Sequence, residues 1–388
     1  MEDRLMDAAF RAPDNILLTN GFASLLVMQA RLYQIFPSDL RVERARQLTF
    51  AIVDGLVRCP MQIGLWTGLT GVLYALEYAR SVSSELLGDK SDAIAELVFE
   101  TDTTLINFLR QSATDKHFDL ISGICGIGAY ALMRTDPAAA THIFSAVENS
   151  LLQCAERVNL SCTWRTRAPY IYIGNIEERR RERYDLGVAH GIPGIIGLLS
   201  HAKRLGLATP ETSEILTDSI SWLQKKEESG LRYSNFQSMI SVSDPPFNPR
   251  GTRLAWCYGD LGVAAMLAVS DEEYSDRTQQ KWWRRLVESR LAQPEVSFQL
   301  NTTGLCHGSA GVLHILRGLL AQGWHCPDVE VLATRLENEL TQAVNALNGI
   351  PSHCLLEGWT GSLLALVESV VQDRHPGRPW NLCLLTPA

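Results

Sequence analysis

The phrase Gly-x-x-Gly, followed each time by small and aliphatic residues at helical spacing, recurs along the chain and decides most of what it can fold into. Full copies stand at Gly68-Leu-Thr-Gly71, Gly123-Ile-Cys-Gly126, Gly191-Ile-Pro-Gly194, Gly259-Asp-Leu-Gly262, Gly308-Ser-Ala-Gly311 and Gly358-Trp-Thr-Gly361, with a degenerate first copy at Gly21-Phe-Ala-Ser24. Successive first glycines lie 47, 55, 68, 68, 49 and 50 residues apart, room in each interval for two ordinary helices and their connections. Glycines at i and i+3 share a helix face and leave a groove in which a neighbouring helix or loop approaches closely.

The segments after the glycines, such as Val72-Leu73-Tyr74-Ala75-Leu76, are apolar nearly all round, as an inner helix buried on every side requires. Between them run amphipathic stretches, Asp92 to Leu109 and Val329 to Leu347 among them, which suit outer helices. Seven helical hairpins stack into an open solenoid or close into a ring, and no obviously polar capping repeat is present. The expected fold is therefore all-α: an α/α toroid with inner and outer helix rings, formed by residues 1–388 as one domain.

Two rim insertions, 155–185 and 234–253, account for the two 68-residue intervals. The first holds a β-like run, Tyr170-Ile-Tyr-Ile173, and the charged run Arg179-Arg-Arg-Glu-Arg183, read as a solvated surface run. The second carries Pro245, Pro246 and Pro249 in an expected extended loop. Trp66, Trp256 and Trp359 flank the repeats and read as walls between hairpins.

Composition closes off other classes. A chain of 388 residues, 46% hydrophobic and 20% charged, has material for a large core. Its net charge of −8 removes the electrostatic drive for nucleic-acid binding. The first fifteen residues lack the basic start and apolar core of a secretory signal. The longest apolar stretches, such as Val263 to Val269, fall far short of the ~18 residues that span a bilayer, so a cytoplasmic location is expected. Nine scattered cysteines argue against a disulfide framework and for buried thiols with a metal-binding or catalytic subset.

Reactive residues fall in register with the repeat. Cys257 stands two residues before Gly259 and Cys306 two before Gly308, equivalent places in adjacent hairpins. His307 and His190 each stand one residue before the first glycine of their own copy, and Tyr258 holds the same slot. A ring gathers the starts of its inner helices around one opening, which brings these groups to a single cavity mouth. Two thiolates and an imidazole suit zinc and leave a fourth tetrahedral position open, so Cys257, Cys306 and His307 are the expected ligands of one Zn²⁺; buried packing residues are the alternative. His190 makes a better acid or base than a ligand, with a structural histidine as its alternative. Asp119, four residues before Gly123, and Arg253, six before Gly259, fall on the same rim, though each singly also fits a surface or capping residue.

Gly187-Val-Ala-His-Gly-Ile-Pro-Gly194, Trp256-Cys-Tyr-Gly259 and Leu305-Cys-His-Gly-Ser-Ala-Gly311, in that order, resemble the signature phrases of the lanthionine synthetase C-like family, the cyclases of lanthipeptide biosynthesis. The glycine pairs carry the resemblance over essentially the whole chain, and it is to the stand-alone form without a fused dehydratase or kinase-like region. It implies an α/α toroid, to which some members add a small SH2-like domain; 155–185 is short for a complete one, and a small inserted SH2-like or β-containing subdomain is the expectation there. It implies Cys257, Cys306 and His307 as zinc ligands, His190 and Asp119 as the acid/base pair, and Arg253 and Tyr258 as further active-site residues. The implied reaction is intramolecular Michael addition of a peptide cysteine to dehydroalanine or dehydrobutyrine, giving lanthionine or methyllanthionine rings.

The implied partners are a dehydrated precursor peptide with its leader and, in a biosynthetic complex at the membrane, the dehydratase and transporter. Competing readings are a non-catalytic zinc-containing scaffold that binds peptides or thiols, and a prenyltransferase-like zinc thiolate alkyltransferase. A glycosidase on an α/α ring would instead use two carboxylates and no cysteine-rich metal site.

Overall fold

The computed structural model describes residues 1–11, 15–111, 117–171, 181–229, 231–242, 251–271, 277–371 and 377–387. After a short α1 (Glu2–Phe10), inner and outer helices alternate in chain order: α2 (Phe22–Ile35), α3 (Asp39–Arg58), α4 (Leu69–Val82), α5 (Ser91–Arg110), α6 (Ile124–Met133), α7 (Pro137–Cys154), α8 (Ile192–Arg204), α9 (Pro210–Gln224), α10 (Asp260–Asp271), α11 (Arg277–Leu291), α12 (Ser309–Ala321), α13 (Pro327–Ala346) and α14 (Trp359–Val370). The expected inner/outer division holds. All ten residues of α6 are buried, whereas α5 buries one stripe, Ile94, Val98, Thr101, Asp102, Leu105 and Leu109.

Each inner helix packs on the next and α14 packs on α2, so the helices form a toroid. A ring of hydrogen bonds in the loops before the inner helices closes the same circle. Trp66 N donates to Ile121 O (3.0 Å), Leu120 N to Ala189 O (3.2 Å), Ala189 N to Cys257 O (3.4 Å) and Cys257 N to Cys306 O (3.1 Å). Cys306 N then donates to Leu356 O (2.8 Å) and Leu355 N to Thr19 O (2.6 Å), and the Thr19 hydroxyl returns to the Trp66 carbonyl. Ser24, which departs from the glycine pattern, adds a bond across the seam between last and first repeats, from its hydroxyl to His353 O at 3.0 Å.

Six outer helices follow their inner partners in sequence, and α1 supplies a piece of the seventh outer position. Its Arg4 donates to the carbonyls of Leu347 and Gly349 just beyond α13, while Glu2 and Asp3 pair with Arg44 of α3.

The glycines are small because the chain's own loop folds back on the helix start. A Cβ on either glycine of a pair would strike the carbonyl six residues earlier: Gln62 for Gly68, Leu65 for Gly71, Thr302 for Gly308, Leu305 for Gly311. At four of the six pairs the second glycine also receives a side chain from the preceding repeat: Leu18 at Gly71, Leu65 at Gly126, Val188 at Gly262, Leu305 at Gly361. The close approach is thus made by the loop and the neighbouring repeat together, rather than by a neighbouring helix. Glycine to alanine inside a helix normally stabilises by about 1 kcal/mol. Gly311→Ala is expected to do the reverse, costing about 1–3 kcal/mol through overpacking, readable as a fall in Tm.

The two insertions are not independent loops. Within the first, β1 (Glu156–Val158) and β2 (Ser161–Thr163) form an antiparallel hairpin. Its last strand, β3 (Arg183–Asp185), pairs antiparallel with β4 (Met239–Ser241) of the second insertion, Asp185 opposite Met239. Two two-stranded ribbons stand among the described residues where a small SH2-like or β-containing insert was expected. The expected β-like run is not a strand where it is described: Tyr170 ends a 3-10 turn, Ala168–Tyr170, and residues 172–173 lie outside the described residues, as do Pro245, Pro246 and Pro249.

Nor is the charged run wholly solvated. Residues 179 and 180 lie outside the described residues, but Arg183 is 2% exposed and its Nε donates to Asp185 at 3.1 Å. Its partner Asp185, two residues along the same strand and itself fully buried, draws it inward.

The centre of the ring is filled. Trp66 and Trp256, expected between neighbouring hairpins, come from the second and fifth repeats and meet edge to face across the ring, centroids 6.4 Å apart. Trp256 Nε1 donates to Leu384 O (2.9 Å) of the C-terminal segment, which is buried from Trp380 to Thr386. His201 Nε2 meets Leu385 O at 3.1 Å and His314 Nε2 meets the Thr386 hydroxyl at 2.9 Å.

Burial pushes both imidazoles down to about 4. An unfolded imidazole titrates near 6.5, so between the two values the unfolded chain binds protons that the folded chain refuses. Stability is therefore lost as pH falls from about 6.5 toward 4, by roughly 3 kcal/mol per histidine. Tm is expected to fall steeply in that window, and the His201→Gln/His314→Gln double variant to show a shallower profile. Parallel profiles would contradict this.

Candidate active site

The circle of loop hydrogen bonds fixes where the reactive side chains stand. Cys257 and Cys306 are joined main chain to main chain, and His307 follows Cys306. The ligand atoms of Cys257, Cys306 and His307 all lie within 4.8 Å of one another, the group of three among the described residues that could hold a metal ion. All three are half-buried, so the group reaches solvent. Because each precedes the start of an inner helix, the partial positive charge of those helix ends favours negative charge at the sulfurs.

Sulfur acidity follows from the contact. Cys257 is pushed down to about 5 by the bond from Cys306, against burial, with His307 helping. Cys306 is held up first by its bond to Cys257, then by burial, and then by the second negative charge that its ionisation would set beside Cys257. His307 is raised by its bond with Cys257. The contact favours a thiolate at Cys257 and opposes a second at Cys306; a bound dication would remove that opposition. Two sulfurs and an imidazole suit Zn²⁺, and a trio reaching solvent leaves a coordination position for an incoming group.

Beside this trio stands the expected acid/base pair. His190 Nδ1 meets Asp119 Oδ2 at 2.5 Å, and Asp119 is fully buried while His190 is half-exposed. Asp119 Oδ1 accepts from Ser122 N (2.9 Å) and the Ser122 hydroxyl (3.2 Å), and lies 3.3 Å from His117 Nδ1. Burial works against charge on both groups. The facing charges of His117 and His190 nonetheless keep Asp119 below the usual carboxylate range, and the bond to Asp119 raises His190.

Tyr258 lies with its ring 6.2 Å from that of His190, and its hydroxyl donates to Asp185 Oδ1 at 3.0 Å. Burial and Asp185 raise its phenol well above the ordinary value. Arg253 is exposed at the rim, where its charge opposes protonation of His307. The structure thus brings Cys257, Cys306 and His307 into one group, and Asp119, His190 and Tyr258 into a second, with Arg253 beside the first.

Several neighbours went unmarked by sequence reasoning. Asp185 and Arg183 arrive through the ribbon joining the insertions, and His117, stacked on Tyr170 with ring centroids 5.0 Å apart, faces Asp119. Glu357 Oε1 lies 3.9 Å from His307 Nδ1. Glu357 had a readable signal, since it precedes Gly358 in the slot that His190, Tyr258 and His307 occupy in their own copies. Cys354, one of the scattered cysteines, is half-buried, its thiol is raised by burial, and it lies close enough to Cys306 for a charge on either to oppose a charge on the other.

No helix among the described residues is long and apolar enough to cross a membrane. No curated protein sequence matches the chain. Among solved structures, one titled "Nisin cyclase" matches with a TM-score of 0.80 at 15% sequence identity, over 99% of this chain and 96% of that one, a likeness of fold. The family model described as "Lanthionine synthetase C-like protein" matches residues 12–385, essentially the whole toroid with both groups of site residues, and on that match the chain belongs to the lanthionine synthetase C-like family.

Proposed function

We propose that this chain is a zinc-dependent lanthipeptide cyclase, joining cysteine thiols of a dehydrated precursor peptide to dehydroalanine or dehydrobutyrine within the same peptide. The convergence of Cys257, Cys306 and His307 beside the Asp119–His190 pair carries this reading. Cys257, Cys306 and His307 would hold the zinc, which when bound supplies the positive charge that keeps a substrate thiol deprotonated at neutral pH.

The chain's own residues account for the remaining requirements. Attack of the substrate thiolate on the alkene β-carbon forms the C–S bond and moves an electron pair toward the carbonyl oxygen, and the α-carbon must then gain a proton. Protonated His190, its Nδ1 held by Asp119, presents Nε2 as the proton donor. The thiol's proton leaves to solvent as the thiol is bound, His190 gives its own proton to the α-carbon, and solvent reprotonates His190, so one proton is released and one taken up in each turnover. Asp119, fully buried, keeps the imidazole in one orientation and favours its charged form. Arg253, at the rim near His307, is placed to oppose the negative charge that develops on the enolate oxygen.

The test is a count of free thiols. Ring closure leaves the mass of the peptide unchanged, so a dehydrated precursor is incubated with the purified, zinc-loaded protein and then alkylated. Loss of alkylatable thiols is expected; thiols that persist would sink the cyclase reading. A scaffold that binds the peptide without reaction would protect thiols only while bound, and every one of them would be alkylated once the sample is denatured.

A further inference from the structure

Tyr258 lies beside His190, ring centroids 6.2 Å apart, and a phenol there could serve as a second proton donor. Its bonding partner argues otherwise. The hydroxyl donates to Asp185 Oδ1 at 3.0 Å, while Asp185 Oδ2 accepts from Arg183 Nε at 3.1 Å. Asp185 is fully buried and Arg183 is nearly so. The carboxylate already accepts from a guanidinium through one oxygen, and its other oxygen is the acceptor that the single phenol proton reaches, so that proton belongs to this bond.

The bracing is built into the rim. Strand β3 carries both Arg183 and Asp185 and is pinned by its pairing with β4, by Leu186 N donating to Ser238 O (2.9 Å), and by Arg183 Nη1 reaching Met239 Sδ at 3.2 Å. On the other side, Gly187 makes room for the ring of Tyr258: a Cβ there would come within 2.5 Å of Tyr258 Cδ1. Gly191 does the same for the backbone of Asp185, whose carbonyl would clash with a side chain at that position. Backbone, carboxylate and ring are therefore fixed together by segments 50 residues and more apart in sequence.

We propose that Asp185, braced by Arg183, is a positioning residue that commits the Tyr258 hydroxyl proton and leaves Tyr258 facing the substrate as a hydrogen-bond acceptor only. This rests on the cyclase reading for its substrate: an acceptor at that point suits a backbone N–H of the peptide beside the reacting residue. It also leaves His190, and not Tyr258, to deliver the proton to carbon.

Two measurements test this, one of them independent of activity. With tyrosine labelled at Cζ, a slowly exchanging hydroxyl proton resonance that vanishes in Tyr258→Phe is expected in the parent. Asp185→Ala alone would bury Arg183 without this carboxylate, so the paired replacement Arg183→Met/Asp185→Leu is used beside the milder Asp185→Asn. The resonance should disappear in the paired variant; its persistence there, or its absence from the parent, would overturn the placement.

The second measurement is a cycle of kcat values for ring formation. The paired replacement should lower kcat about tenfold in the parent and less than about twofold in the Tyr258→Phe background, with zinc content retained. Equal losses in both backgrounds would show that Asp185 acts only on the fold. A parent that forms no rings at all would defeat the cyclase reading, while the hydroxyl resonance would still decide the bond.

Discussion

Cys257→Ala and Cys306→Ala are each expected to take bound zinc from about one per chain to near zero and to reduce ring formation by more than about 100-fold. The bound is set by comparison: changing a group that merely orients a metal ligand typically costs 10- to 100-fold, and a lost ligand should cost more. Both sulfurs belong to one group with His307, and their backbones are hydrogen-bonded directly at 3.1 Å, so neither can be replaced by a local shift of the other. Metal content by atomic spectroscopy and thiol counting on the same samples make the check. The variants should stay folded, because the helices and the ring of loop bonds use the main chain of these residues and not their sulfurs. A variant that keeps full zinc would remove that cysteine from the ligand set.

His190→Ala is expected to lower kcat by roughly 10²- to 10⁴-fold, about 3–5 kcal/mol, while leaving zinc in place. Asp119→Asn should approach the same loss, because an amide cannot hold His190 Nδ1 as a carboxylate does at 2.5 Å, and it removes the charge that raises His190. The pH dependence has a definite sign. His190 has its pKa raised in the folded chain, so the proton-donating form persists through the ordinary imidazole range and is lost as pH rises through the raised value. In the parent the rate should therefore decline on the alkaline side, and Asp119→Asn should move that decline to lower pH. Its contribution to stability has the same direction, fully present below about 6.5 and lost as pH rises past the folded value. Zinc content separates this site from the first: a His190→Ala sample that has lost its metal would assign the histidine to the ligand set instead.

How much of this was legible in the chain depends on how local its cause is. The glycine copies were readable because the clash they avoid is with a carbonyl only six residues away, so the requirement repeats wherever the loop does. The same register put Cys257 and Cys306 in matching places, and in a ring matching places in adjacent repeats are neighbours. The pairing of Asp119 with His190 needed the third and fourth repeats side by side, which the same register supplied.

Trp66 and Trp256 were misplaced because their positions beside the glycines say nothing about which side chains cross the ring. Arg183 was misread because a run of arginines looks solvated unless something buried pairs with it, and that partner, Asp185, becomes buried only when the two insertions meet.

The sequence by itself determined the helical repeat and the register that sets Cys257, Cys306 and His307 at matching places, since both follow from periodicity and short-range sterics, while closure of the ring is seen in the packing of α14 on α2. Tertiary structure alone decided that Asp185 and Arg183 hold Tyr258, that α1 lies between α13 and α3, and that the last residues fill the ring's centre. Those are pairings between distant segments, and the burial that fixes buried charges and seats an unpatterned tail exists only once the circle has closed.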